Sequence, residues 1–221
     1  MTSTRLLLIR HGEVHERWRG TIYGRLDVEL SERGLEQSRR IGEAFRGDPI
    51  DLVVTSGLQR AEAAAAALRE GLPGLERHDD PRLLELDRGD WAGRGLDEIQ
   101  ASEPEAFREW QLRRGAVRAP GGEDPGEVPG RVVPAIADWV ARAPDGGMVA
   151  VVAHLWVVRS VVATVLGMPM ARSPQIGWPP GGVCEIEWPR AVGSGAGDGG
   201  AGVAERLART VAGARVVRLG V

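Results

Sequence analysis

LLLIRHGE, residues 6–13, decides how the rest of the chain is read. Leu6 to Ile9 form an unbroken apolar run, the pattern of a strand covered on both faces rather than one alternating between core and water. Its end hands a polar quartet to a loop. Arg10 carries a planar, permanently charged fork suited to phosphate. His11 brings a nitrogen nucleophile available at neutral pH, since a free imidazole titrates near ~6.5. Gly12 lets the backbone approach a ligand closely. Taken alone, the quartet reads equally well as a solvated Arg-His pair, so its meaning depends on what else reaches the same place.

The 221 residues suffice for a sizeable core and are read as one domain spanning 1–221. A net charge of −3 with intermixed signs gives no basic stripe, which speaks against nucleic acid and against an anionic membrane as partners. The start, MTSTRLLLIR, has too short an apolar run for a signal peptide, and nothing approaches the length of a membrane span, so a cytoplasmic location is expected. The single cysteine, Cys184, excludes an intrachain disulfide and a cysteine-built zinc site. All 28 basic residues are arginine. Without lysine there is no Schiff-base chemistry, no pyridoxal phosphate anchor and no P-loop lysine. His11, Glu13 and His15 alternate like a ligand set but lie past a strand, with no second cluster, so neither a metal nor a cofactor is expected.

Along the chain, strand patterns alternate with helical ones. A long loop, 12–30, holds Trp18, Tyr23 and Arg25, and Ser31 then reads as the N-cap of a helix through about Phe45. IDLVVTS (50–56) reads as a second buried strand, and 58–71 as an alanine-rich helix closed by Gly71. Residues 75–86 read as extended, 87–95 as turn-rich and 97–114 as helical. A Gly/Pro-rich stretch at 119–130 precedes a helix at about 131–143, in which Pro134 predicts a late start or a kink. MVAVVAH (148–154) is a third apolar strand with a polar end, followed by a helix through about Leu166. VCEIEW (183–188) and ARVVRLGV (214–221) read as late paired strands, joined through a flexible Gly-rich loop at 191–202. This order implies an α/β fold, a three-layer α/β/α sandwich around a mostly parallel sheet.

In such sheets ligands sit beyond the carboxyl ends of the strands. Three apolar strands deliver polar groups there: Arg10 and His11, Thr55 and Ser56, and His154. Arg60 lies about one turn into the following helix, whose start adds backbone donors for an anion. Two arginines, two histidines and a helix start suit a dianionic phosphoryl group, with His11 or His154 as nucleophile.

These segments resemble the histidine phosphatase superfamily, whose fold is shared with cofactor-dependent phosphoglycerate mutase. The matching pieces are LLLIRHGE, YGRLDVELSERGLEQS (23–38), VVTSGLQRA (53–61), LLELDRGDWAGR (83–94), PGGED (120–124) and VVAHLWVVR (151–159). The resemblance implies His11 as the nucleophile that becomes phosphohistidine, Arg10, Arg60 and His154 as holders of the phosphoryl oxygens, and Glu85 as the acid that protonates the leaving oxygen. Asp87 and Asp90 are the other carboxylates in reach of that role. A placed acid supplies about 10²–10⁴ in rate, and fixed arginines stabilise the phosphoryl charge without a metal.

Several positions depart from the family's usual pattern. Arg17 stands where Asn is frequent, Val14 where Thr is, and Glu62, Ala63 and Ala64 where Gln-Thr is. Leu155 replaces the glycine that usually follows the second histidine. These departures suggest a specialised substrate pocket, with Arg17, Gly24 and Leu155 as candidate substrate-binding residues and Arg17 as the candidate for a second anionic group. The tyrosine and lysine usual after the acid in mutases are missing, and Gly89 to Gly93 resemble the phosphatase branch, with some similarity to alpha-ribazole phosphatases in 23–34. The expected activity is that of a metal-independent phosphomonoesterase of the histidine acid phosphatase type, acting on a small-molecule phosphate ester. A mutase or a catalytically weakened phospho-ligand-binding protein are the rival readings, and a homodimer is left open.

Overall fold

The computed structural model describes residues 3–189 and 203–219. The Gly-rich segment expected to be a flexible loop, 191–202, lies outside the described residues. In chain order the elements are β1 (Ser3–Arg10), β2 (Thr21–Ile22), α1 (Glu32–Ala44), β3 (Ile50–Thr55), α2 (Gln59–Gly71), β4 (Glu76–Asp79), β5 (Arg94–Gly95), α3 (Leu96–Ser102), α4 (Pro104–Leu112), α5 (Val128–Arg142), β6 (Met148–Ala153), α6 (Leu155–Val165), β7 (Val183–Pro189), α7 (Val203–Thr210) and β8 (Arg215–Leu219). Among the described residues these strands form a six-stranded sheet in the order β4-β3-β6-β1-β7-β8 and a small β2-β5 ladder. β1, β6, β3 and β4 run parallel, while β7 is antiparallel to both β1 and β8. The sheet is therefore mostly parallel and carries helices on both faces.

β1 shows why an unbroken apolar run was needed. Leu7 and Ile9 pack with Ile41, Phe45, Ala61, Ala64 and Leu68 on the α1/α2 side. Leu6 and Leu8 pack with Val132, Val133, Ile136, Val157 and Val161 on the α5/α6 side. All four side chains are fully buried, each contributing about 1.5–3 kcal/mol before the entropic cost of ordering it. α1 starts where expected: the Ser31 hydroxyl accepts from the Gly34 N–H at 3.0 Å. Its buried residues Gly34, Ser38 and Ile41 recur at the helical period.

Other segments differ from the sequence reading. The single helix expected over 97–114 is two, because the residue before Pro104 leaves the α region: Glu103 has φ −136° and ψ 57°. Only 76–79 of the expected extended segment pairs in the sheet, and a 3-10 turn follows at Pro81–Leu83. α5 begins at Val128 rather than about 131 and accepts Pro134 in its interior. Pro134 and Gly130 are both exposed, so the carbonyl that loses its helical donor lies on the water side. No helix among the described residues is long and apolar enough to cross a membrane.

Candidate active site

Register brings three strand ends level. Ile9 lies opposite Val152, which lies opposite Thr55, and Arg10 lies opposite Ala153. The next residues, His11, Ser56 and His154, therefore leave the sheet side by side. The His11 N–H donates to the Ala153 carbonyl at 3.0 Å and its carbonyl accepts from Gly181, also at 3.0 Å. Gly12 allows a close approach, but to α1 rather than to a ligand. A Cβ there would stand 2.3 Å from the Gly34 oxygen, and one on Gly34 would stand 2.0 Å from the Glu13 oxygen.

The histidine rings are 5.2 Å apart and tilted by 58°. His11 Nδ1 is 2.7 Å from the Gly12 carbonyl. A carbonyl only accepts, so Nδ1 carries the proton and Nε2 keeps its lone pair. His154 has the opposite tautomer. Arg60 Nε donates to its Nδ1 at 3.3 Å, leaving Nε2–H to donate to the Ser56 hydroxyl at 2.7 Å. Both imidazoles titrate well below the usual histidine range. Burial is the main cause for each, the Arg60 charge adds to it, and for His11 the Gly12 hydrogen bond opposes it. Both rings are therefore neutral at pH 7, and His11 Nε2 has its lone pair free without needing a base to deprotonate it.

Arg60 is fully buried. Its Nη1 donates to the Leu26 carbonyl at 2.6 Å and its Nη2 to the Gly24 carbonyl at 2.8 Å, and its guanidinium lies 5.3 Å from the Tyr23 ring centre. Arg10 donates from Nη1 to the Trp178 carbonyl, and its buried Nε has no partner. Burial lowers both guanidinium pKa values, and Glu85 is among the groups opposing that shift. Tyr23 completes this side: burial pushes its phenol up while Arg10 pulls it down.

Glu85 arrives from a different direction and is 8 % exposed. Its Oε1 accepts from the Leu86 N–H at 2.8 Å and the Trp156 N–H at 3.1 Å, the latter in the first turn of α6. Both bonds use Oε1, so Oε2 is the oxygen left to carry a proton. Its backbone is clamped: Arg25 Nε and Arg131 Nη2 donate to the Glu85 carbonyl at 3.0 and 3.3 Å. Glu123, from PGGED, binds Arg131 at 2.7 Å and Arg25 at 3.2 Å, and accepts from the Asp87 N–H at 3.3 Å. Asp87, considered as an alternative acid, pairs with Arg25 at 3.1 Å and caps the Gly89 N–H at 2.9 Å. At the start of α2 the Gln59 N–H already donates to Asp27 at 2.8 Å, so that donor is taken.

Five of the expected site residues, Arg10, His11, Arg60, Glu85 and His154, thus come together. The three expected around the substrate have distinct positions. Gly24, with φ +46°, holds Arg60 through its carbonyl. Leu155 is half-buried at the start of α6, where the N–H reaching the carboxylate belongs to Trp156. Arg17 is exposed and grips Glu29 with two nitrogens, at 2.5 and 2.6 Å. Trp91, in the turn-rich segment after Glu85, is 1 % exposed and packs with Ile22, Ile99 and Phe107. Sequence reading missed Arg25, Glu123 and Arg131, which hold the Glu85 segment. For Glu123 a signal existed, since PGGED was among the matching segments. Among the described residues no group of His, Cys, Asp and Glu has the makings of a metal site.

Comparison with known proteins agrees with this geometry. The sequence profile of the histidine phosphatase superfamily (branch 1) matches residues 6–194. Glucosyl-3-phosphoglycerate phosphatase of Mycobacterium tuberculosis is 35% identical over 185 residues, covering 80% of this chain and 82% of that protein. Phosphoserine phosphatase 1 of Hydrogenobacter thermophilus is 30% identical over 168 residues, covering 76% and 79%. The crystal structure of the alpha-ribazole phosphatase from Shigella flexneri superposes with a TM-score of 0.75 at 26% identity, covering 85% of this chain and 92% of that one.

Proposed function

The chain belongs to the histidine phosphatase superfamily, and on that premise we propose that it hydrolyses a small organic phosphate through a phosphohistidine on His11. The observation that carries this reading is the pinned tautomer of His11. With Nδ1–H on the Gly12 carbonyl, an unprotonated Nε2 sits among Arg10, Arg60 and His154. In the first step Nε2 attacks phosphorus and the ester P–O bond breaks. Protonated Glu85 gives its Oε2 proton to the departing alkoxide. The Gly12 carbonyl stabilises the cationic ring that results, as a hydrogen-bonded carboxylate or carbonyl does for a working histidine elsewhere. In the second step Glu85 takes a proton from water as the water oxygen attacks, the P–N bond breaks, and its electron pair returns to Nε2.

Arg10 and Arg60 stabilise the equatorial oxygens throughout. Fixed donors in a dry site need no reorganisation as charge shifts. His154, neutral in the free site, gains a reason to protonate when a phosphate dianion arrives. The clamp of Arg25, Arg131 and Glu123 fixes the backbone that carries the acid. Two relatives are named for phosphoserine and glucosyl-3-phosphoglycerate, phosphomonoesters that also carry a carboxylate, whereas the alpha-ribazole ester has none; both kinds belong in the trial panel. The reading also takes the enzyme as working in the cytoplasm, in keeping with its single cysteine, Cys184, which is buried and free.

The test is release of inorganic phosphate from a panel of phosphomonoesters in the presence of a chelator, with p-nitrophenyl phosphate as reference. Release that survives chelation is the expected result. Folded protein that releases phosphate from none of them contradicts hydrolysis. Return of the phosphoryl group to an acceptor instead of water makes the protein a mutase.

A further inference from the structure

We propose that Arg159, stacked on Trp156 beside the phosphoryl site, takes up a carboxylate that the substrate carries in addition to its phosphate, an inference that rests on the phosphatase reading above. Arg159 lies on α6 four residues after Leu155 and therefore on the same helix face. Helical side chains lean toward the helix N-terminus, which here is the end that carries His154. The Arg159 guanidinium lies 5.2 Å from the Trp156 ring centre, and the Arg88 guanidinium lies 5.5 Å from the same ring. The backbone N–H of Trp156 holds Glu85. Arg159 is thus built into the constellation that carries the acid. Burial lowers its pKa, Arg10 pushes in the same direction, and Glu85 opposes.

What sets Arg159 apart is that nothing holds it by hydrogen bond or ion pair among the described residues, and its buried Nε has no partner. Apart from Arg10, the other arginines of this region are engaged by acceptors. Arg60 and Arg88 bind backbone carbonyls, Arg25 and Arg131 bind Glu123, and Arg17 binds Glu29. An arginine cannot shed its proton, and a half-buried charge without an anion is unfavourable. One unpaired planar fork of unit charge matches one carboxylate, through two parallel N–H···O bonds. A second phosphate would bring twice the charge and three oxygens to a single fork. Arg10, Nε also free, remains for the phosphoryl group. Arg159, rather than Arg17, is the residue left open for the second anionic group.

The experiment compares 3-phosphoglycerate with glycerol 3-phosphate, which has a hydroxymethyl group where the other has its carboxylate. The ratio of their kcat/KM values is measured for the wild type, Arg159→Gln and Arg159→Lys. The ratio should fall at least tenfold in Arg159→Gln, mainly through KM for 3-phosphoglycerate, with partial retention in Arg159→Lys. A parallel fall for both esters with the ratio unchanged would mean a merely structural role and overturn the proposal. If Arg159→Gln fails to fold, Arg159→Lys must still lower the ratio, and an unaltered ratio there refutes it. Affinities of the same two esters, measured calorimetrically in a His11→Ala background with and without Arg159→Gln, read the subsite without turnover. A preference for 3-phosphoglycerate that disappears with Arg159 supports the subsite even if hydrolysis fails, and no preference in the first place rejects it.

Discussion

The strand-end cradle and the Glu85 segment meet at one spot but are held there by different means. Arg10, His11, Ser56 and His154 are placed by backbone register, because each directly follows or ends one of three aligned strands. A strand in a fully buried sheet cannot slip without moving its whole apolar set, so these residues are as fixed as the core. Glu85 belongs to no strand or helix. Its place depends on side chains from residues 25, 123 and 131 and on the first turn of α6. The proposed nucleophile is thus positioned by the fold and the proposed acid by an ion-pair clamp. Damage to the two should differ in kind.

The largest expected effect lies in the cradle. His11→Ala should lower turnover by on the order of 10³–10⁶-fold on every ester, since a missing nucleophile is not replaced by its neighbours. Steady-state phosphate release checks this, and comparable activity in the variant would remove the basis of the comparison. Glu85→Gln should slow the first step, release of the leaving group in a single turnover, by about 10²–10⁴ on alkyl phosphates and far less on p-nitrophenyl phosphate, whose leaving group needs no proton, while the later attack of water slows for both. Equal slowing of that first step on both esters would deny Glu85 its role as acid.

Glu123→Gln sharpens the contrast, because Glu123 lies outside the reacting atoms. Loss of the clamp should lower stability by about 1–3 kcal/mol. Looser placement of Glu85 should slow single-turnover release of the leaving group by about ten- to a hundredfold on alkyl esters, again sparing that step on p-nitrophenyl phosphate. Urea unfolding and single-turnover rates for the two esters test both halves, and a loss of stability with no ester-dependent change in that rate would confine Glu123 to structure. The smallest effect concerns pH. His11 and His154 are neutral when folded but take protons near ~6.5 when unfolded. Their contribution to stability is present above that value and is lost as pH falls below it, at up to about 1.4 kcal/mol per pH unit for each ring. Unfolding free energies at pH 7.5 and 5.5 measure the slope, which should flatten in His154→Gln.

The same division explains what the sequence disclosed. Apolar runs ending in Arg-His, Thr-Ser and His are local patterns, and parallel strands bring their ends together by rule, so the cradle was readable from residues alone. The Ser31 cap was readable for the same reason. The clamp was not, because pairing of Arg25 and Arg131 with Glu123 joins residues far apart in the chain, and arginines are too common here for any one to stand out. Arg17 shows the converse. It attracted notice by departing from a familiar pattern, yet a nearby carboxylate, Glu29, engages it. Arg159 lay inside a quoted segment, but its lack of a partner is a property of three dimensions. The break at Pro104 was marked in the sequence by the proline itself, whereas Pro134 was tolerated because the carbonyl it frees faces water.

The central claim is that His11 Nε2 becomes phosphorylated, and trapping that species tests it most directly. Glu85→Gln protein, which should be slow to activate the attacking water, is mixed with p-nitrophenyl phosphate and quenched in base, where a phosphohistidine survives. Peptide mass spectrometry then locates the phosphate. The account predicts approach to one phosphate per chain, on the His11 peptide and removed by acid. Phosphate on another residue, or rapid phosphate release with no phosphoprotein formed, would contradict it.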